Sequence, residues 1–202
     1  MKRLLIALLI GLPLATMAQD NTWEQAPATE KSKNVDEKYL EGAVPVVDGQ
    51  VVFQTTIQAP GKSGRQIYDI MLSQLQELVE APEQLEQSTI ALQNPQTLQV
   101  VGSYQEWLVF KNKPLLLDRT RMLYHLFVDC RDGEATVQMS RIIYLYDEER
   151  EAQTYNANEW ITDRYALNKK KTKLSRISGK FRRKTIDRKD YLFQKFTAAL
   201  NP

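Results

Sequence analysis

One cysteine and one histidine in 202 residues leave this chain little with which to do thiol or metal chemistry. Cys130 has no second cysteine to pair with, so an intramolecular disulfide is excluded and the fold must be held by its core. His125 lies in the same β-rich run as Cys130, at an odd spacing that puts the two side chains on opposite faces of a strand. Without a bulge they form no thiolate–imidazole dyad, and both read as structural. Two such ligands also fall short of a transition-metal site. The glycines show neither a GxGxxG nor a P-loop spacing: Gly61-Lys62-Ser63 has the ending of a P-loop without its upstream glycine. GxSxG and HExxH are absent as well, so the sequence predicts no catalytic residue, no metal and no cofactor.

Long apolar runs are scarce too. The one continuous stretch, Leu4 to Leu12, follows Lys2 and Arg3 and leads through small residues to Ala18, after which Gln19 and Asp20 end it. A membrane-spanning helix needs about 20 apolar residues, so this segment is expected to target rather than to span. A cationic start, an apolar middle and a small-residue end are the three parts of a secretory signal peptide, expected over 1–18. A lipid-anchored product would need a cysteine at the cleavage point, and Cys130 is far from it. The expected product is therefore exported to the periplasm or secreted, soluble, and not a lipoprotein.

What is present is ordinary globular composition, 43% hydrophobic and 26% charged. Roughly 180 residues beyond the leader suit one domain with its own core. Residues 19–41 are polar and aperiodic and read as a flexible leader, which sets the expected domain at 42–202. The formal net charge of +2 is misleading, because twelve Lys and Arg against two Asp fall between Asn168 and Lys195. The rest of the chain is correspondingly acidic.

Asp48-Gly49 between Val44–Val47 and Val51–Ile57 predicts a tight hairpin turn, with Pro45 confining the first run to a sheet edge. After the Ala59-Pro60-Gly61 break, Ser63 and Gln66 are spaced as a capping box, and Ile67, Ile70, Met71, Leu75, Leu78 and Val79 form the apolar stripe of a helix ending near Pro82. Strands are expected over 89–93, 98–110, 119–129 and 134–146, joined as an antiparallel meander. In the last of these, Val137, Met139, Ile143 and Leu145 share one parity. A second, polar face is expected to carry Tyr104, Trp107, Tyr124, Tyr144 and Tyr146. A short helix is expected around Trp160 to Leu167, then a basic loop, then a closing helix beginning at Thr185 to Asp187 with carboxylates in its first turn.

Three segments carry a family resemblance: Val46-Val47-Asp48-Gly49-Gln50-Val51-Val52-Phe53; Ala59-Pro60-Gly61-Lys62 before Ile67-Tyr68; and Gly179-Lys180-Phe181-Arg182-Arg183-Lys184-Thr185-Ile186-Asp187 before Leu192-Phe193. In these the chain resembles the exported Bacteroidetes-type domain of unknown function 4468. The resemblance implies a fold similar to the TATA-binding-protein repeat, a curved antiparallel sheet with helices on one side, and no catalytic motif. The expected class is α+β, with about five strands in the order β-α-β-β-β-β-α. Similarity of fold does not bring DNA binding with it.

These features point to a noncatalytic envelope module that binds or interacts with a partner, an envelope protein or an anionic ligand. Lys180, Arg182, Arg183 and Lys184 are the candidate anion-binding cluster, suited to an anionic polymer or lipid headgroups. Nucleic acid is not expected, because no binding motif accompanies the charges. The enzymatic alternative is a periplasmic hydrolase using the carboxylates Glu134, Asp147, Glu148 and Glu149.

Overall fold

The structure, a computed structural model, describes Trp23, residues 37–148 and residues 150–202. The expected signal peptide, most of the polar leader and Glu149 lie outside the described residues.

Strands β1 (Val46–Val47) and β2 (Gln50–Gln58) form the expected hairpin. Asp48 and Gly49 both have positive φ, 50° and 78°, the backbone that matches the twist of two paired strands. Helix α1 (Gly64–Val79) starts at the expected capping box: the Ser63 hydroxyl accepts from the Gln66 amide, and the Ser63 amide donates to the Gln66 side chain at 2.9 Å. Its stripe of Ile67, Met71, Leu75 and Leu78 is buried. Gly64 permits a close approach there, since a Cβ would lie 2.8 Å from Leu98 Cδ1 and 3.1 Å from the Arg131 carbonyl carbon.

Strands β3 (Thr89–Asn94), β4 (Gln99–Lys113), β5 (Leu116–Arg131) and β6 (Glu134–Tyr146) follow as the expected meander. A further strand, β7 (Gln153–Asn156), pairs with the end of β6. The sheet order is β1-β2-β6-β5-β4-β3, with every pairing antiparallel. The sheet is therefore seven-stranded rather than about five-stranded. The two additions are β1, only two residues long, and β7, a polar Gln-Thr-Tyr-Asn with no apolar alternation to reveal it.

Helices α1 and α4 (Ser178–Leu200) pack on one face of the sheet, with the short α2 (Ala157–Trp160) and α3 (Asp163–Ala166) beside them. The closing helix begins at Ser178, about two turns before the expected Thr185–Asp187, and its first turn contains no carboxylate. Part of the expected basic loop is thus helical. Its early turns escaped apolar periodicity because Arg182 occupies a fully buried position there.

One expectation about sides also changes. Ile143 and Leu145 do not share the buried parity of Val137 and Met139; Ile142 and Tyr144 do. A bulge at Arg141, whose φ is 55°, shifts the register against β5 between the His125 and Leu123 pairs and reverses the faces beyond it. The leader expected over 19–41 also touches the core: Tyr39, in a 3-10 turn over Glu37–Tyr39, is 5% exposed and Trp23 is 6% exposed.

Candidate functional site

The four residues of the candidate anion cluster fall on the first turns of α4 in different environments. Lys180 Nζ reaches both oxygens of Asp118, at 2.9 and 2.8 Å, and the Tyr146 hydroxyl at 3.1 Å, while lying over the Phe110 ring. Arg182 is fully buried. Its Nε donates to the Tyr39 carbonyl at 2.6 Å, Nη1 to the Ile161 carbonyl at 2.8 Å and Nη2 to the Leu40 carbonyl, and Nη2 lies 2.7 Å from Asp163. This guanidinium fastens the chain around residues 39–40 and the α2–α3 corner to α4; its donors point inward. Arg183 and Lys184 are half-buried, with Arg183 over the Tyr39 ring at 4.4 Å. Exposed cations lie just before α4, in the loop carrying Lys169, Lys170, Lys173 and Arg176.

A second ionic arrangement gave no sequence signal. Glu106 of β4 and Arg188 of α4 are both 0% exposed, with Arg188 Nε 2.8 Å and Nη2 2.6 Å from the Glu106 oxygens. Gln84 donates to the same carboxylate at 2.9 Å, and Glu83 lies 3.3 Å from Arg188. Burial pushes the Glu106 carboxyl up from its ordinary value, and the adjoining guanidinium opposes the shift. Glu106 sits in an alternating strand and Arg188 in a charge run, so nothing local distinguished them from solvated residues.

The expected separation of His125 and Cys130 holds. Cys130 is buried under the helices, where burial and then Asp129 push its thiol up to about 12. His125 is on the opposite face, stacked on Phe127 with centroids 6.0 Å apart, and burial followed by the Arg141 charge lowers its pKa.

The candidate carboxylates are not gathered. Glu134 opens β6 and accepts from Gln58 at 3.2 Å, whereas Asp147 and Glu148 follow the other end of that strand. Thirteen residues of strand separate the two sites by roughly 40 Å. Paired glycosidase carboxylates lie within about 10 Å of each other. Glu148 is ion-paired with Arg121. Among the described residues, no group of three or more His, Cys, Asp or Glu is placed to hold a metal.

The aromatic residues expected on the polar face are mostly on the other one. Tyr104, Tyr124 and Tyr144 are fully buried beneath the helices, Tyr104 donating to the Leu75 carbonyl at 3.0 Å and Tyr144 meeting the Thr185 hydroxyl at 2.7 Å. Tyr146 is half-buried against Phe181 and Lys180. Trp107 alone of the five stands on the helix-free face, because its odd position in β4 opposes the even one of Tyr104. That face carries half-buried Trp107, Leu123 and Phe127, with Arg119 over the Trp107 ring at 3.8 Å and Arg141 over Phe127 at 5.1 Å. It is a polar face studded with aromatic and arginine side chains, as expected in kind though not in which aromatics it carries. At its end, a cleft of about 330 Å³ runs between Trp107, the Leu115–Arg119 turn and the Tyr146–Glu148 segment.

A seven-stranded antiparallel sheet covered on one side by two long helices defines an α+β domain, and its relatives place it among TBP-like folds. A TBP-like protein from Parabacteroides distasonis ATCC 8503 superposes with a TM-score of 0.62 at 20% identity, covering 78% of this chain and 96% of that one. The family model described as "Domain of unknown function (DUF4468) with TBP-like fold" matches residues 53–145, from β2 into β6. A crystal structure of a DUF4468 family protein from Bacteroides ovatus ATCC 8483 is 41% identical, with a TM-score of 0.76, covering 84% of this chain and 97% of that one. The chain belongs to the DUF4468 family. The search of curated proteins gives no match.

Proposed function

We propose that this chain is an exported, noncatalytic binding module that holds an envelope protein against the helix-free face of its sheet. The observation that supports this reading is the surface of Trp107, Leu123 and Phe127, on which Arg119 and Arg141 lie over the rings. Aromatic and arginine side chains dominate the energetics of protein contacts, and here they are held on a rigid sheet. The surface suits a partner presenting apolar side chains beside carboxylates. Export rests on the leader over 1–18, and an exported chain beginning near Gln19 is the product expected by mass. Among the described residues no helix is long and apolar enough to cross a membrane.

The test is retention of envelope proteins on the immobilised chain. A partner retained by the wild type is expected to be lost, by about tenfold or more, with Trp107→Ala combined with Arg141→Glu. Equal retention of the same proteins by this variant refutes the sheet face as the contact.

A second reading is an anionic ligand at the basic segment, favoured by the exposed Lys169, Lys170, Lys173 and Arg176, with Arg183 and Lys184 on the adjoining turns of α4. Retention on heparin at low salt, lost at high salt, is its expected signature. A chain that passes through heparin at low salt refutes it.

A further inference from the structure

The β4–β5 hairpin reaches past its neighbours. Thr120 is the first residue of β5 paired with β6, and β3 covers β4 only as far as Ser103, so Lys111 to Asp118 pair with each other alone. At the turn Leu115 is fully exposed, and Leu116 and Leu117 are 49% and 53% exposed. A projecting turn is ordinarily polar, and three consecutive exposed leucines are a departure that calls for an apolar phase. Leu116 and Leu117 are successive strand residues and point to opposite sides of the ribbon, while Leu115 crowns the turn. A protein groove engages one side of such a ribbon; the acyl region of a bilayer surrounds all of it.

The charges around the tip fit that occupant. Lys111 and Lys113 are exposed on the strand behind the leucines, at the depth of headgroups when the tip is immersed. Lys180 clamps the first turn of α4 to Asp118 at the hairpin's base, and the basic loop runs directly into that turn. Among the described acidic residues at this end, Asp118 and Glu148 are held by Lys180 and Arg121, while Asp147 and Glu151 are exposed.

We propose that the Leu115–Leu117 tip inserts into an anionic bilayer while Lys111, Lys113 and the basic loop before α4 rest on its headgroups. This rests on the second reading above, that the basic segment meets an anion, and names the bilayer as that anion. Immersed apolar side chains and surface cations are the two attractions that together hold a protein on a membrane.

The test places an environment-sensitive fluorophore on the tip of the full chain, through Leu116→Cys in a Cys130→Ser background. On vesicles containing phosphatidylglycerol the fluorophore is expected to brighten, shift to the blue and become accessible to lipid-borne quenchers. Neutralising Lys169, Lys170, Lys173 and Arg176 to Gln is expected to raise the lipid concentration needed by at least about tenfold. Binding with an unchanged tip fluorophore overturns the proposal, because another segment is then the anchor. Equal insertion into phosphatidylcholine vesicles overturns the role of the cations. Heparin retention without vesicle binding overturns the proposal while leaving the anion reading intact. A soluble dimer quenched at the tip with no lipid response assigns the leucines to a second copy and overturns it too.

Discussion

Replacing Arg188 with Met is the perturbation that tests most directly how this fold is held. Arg188 joins α4 to β4 through two hydrogen-bond-length contacts with Glu106, and both side chains are 0% exposed. Methionine fills much of the volume of the arginine stem, so the loss is mainly electrostatic. The Glu106 carboxylate keeps the Gln84 amide, at 2.9 Å, and loses its counter-charge. Breaking a buried ion pair at one partner costs about 3–5 kcal/mol. That is a large share of a typical domain stability of about 5–15 kcal/mol. At about 2–4 °C per kcal/mol for a chain of this size, Tm should fall by roughly 6–20 °C. The assay is thermal and urea unfolding followed by circular dichroism, with Glu106→Gln and the double variant completing the cycle. Glu106→Gln combined with Arg188→Met should recover more than half of the single Arg188→Met loss, because the uncompensated charge is gone. A loss below about 1 kcal/mol for Arg188→Met, or strict additivity in the cycle, refutes the reasoning.

Arg182→Lys should cost about 3 kcal/mol, since an ammonium cannot span the Tyr39, Leu40 and Ile161 carbonyls and Asp163 as a planar guanidinium does. Hydrogen exchange should accelerate first at residues 37–44, and a uniform loss of protection across the sheet would contradict the role given to Arg182. His125 supplies a pH test. Its folded pKa lies below the ordinary 6.5, so the unfolded chain takes up the proton first on acidification. Its contribution is fully present above pH 6.5 and declines as pH falls from there through the lowered folded value. His125→Gln should flatten that part of the stability–pH curve, and an unchanged slope would show that His125 does not set it.

The sequence by itself determined most of the backbone. Asp48-Gly49 required a turn with positive φ, Ser63 and Gln66 required a helix start, and alternation over β4, β5 and most of β6 required strands, because these signals are local and act through neighbouring residues. The odd spacing of His125 and Cys130 likewise pointed to opposite faces, and the unbroken register of β5 between them keeps them there. Tertiary structure alone decided the rest. A single left-handed residue, Arg141, reverses which side chains of β6 meet the helices, so the face of Tyr144 could not be counted from Val137. Arg182 and Arg188 lie within a run of cations that reads as solvated, yet both are buried, because their partners come from residues far away in the chain. Burial of a charge depends on a counter-charge or carbonyl arriving from elsewhere, and no local pattern records that arrival.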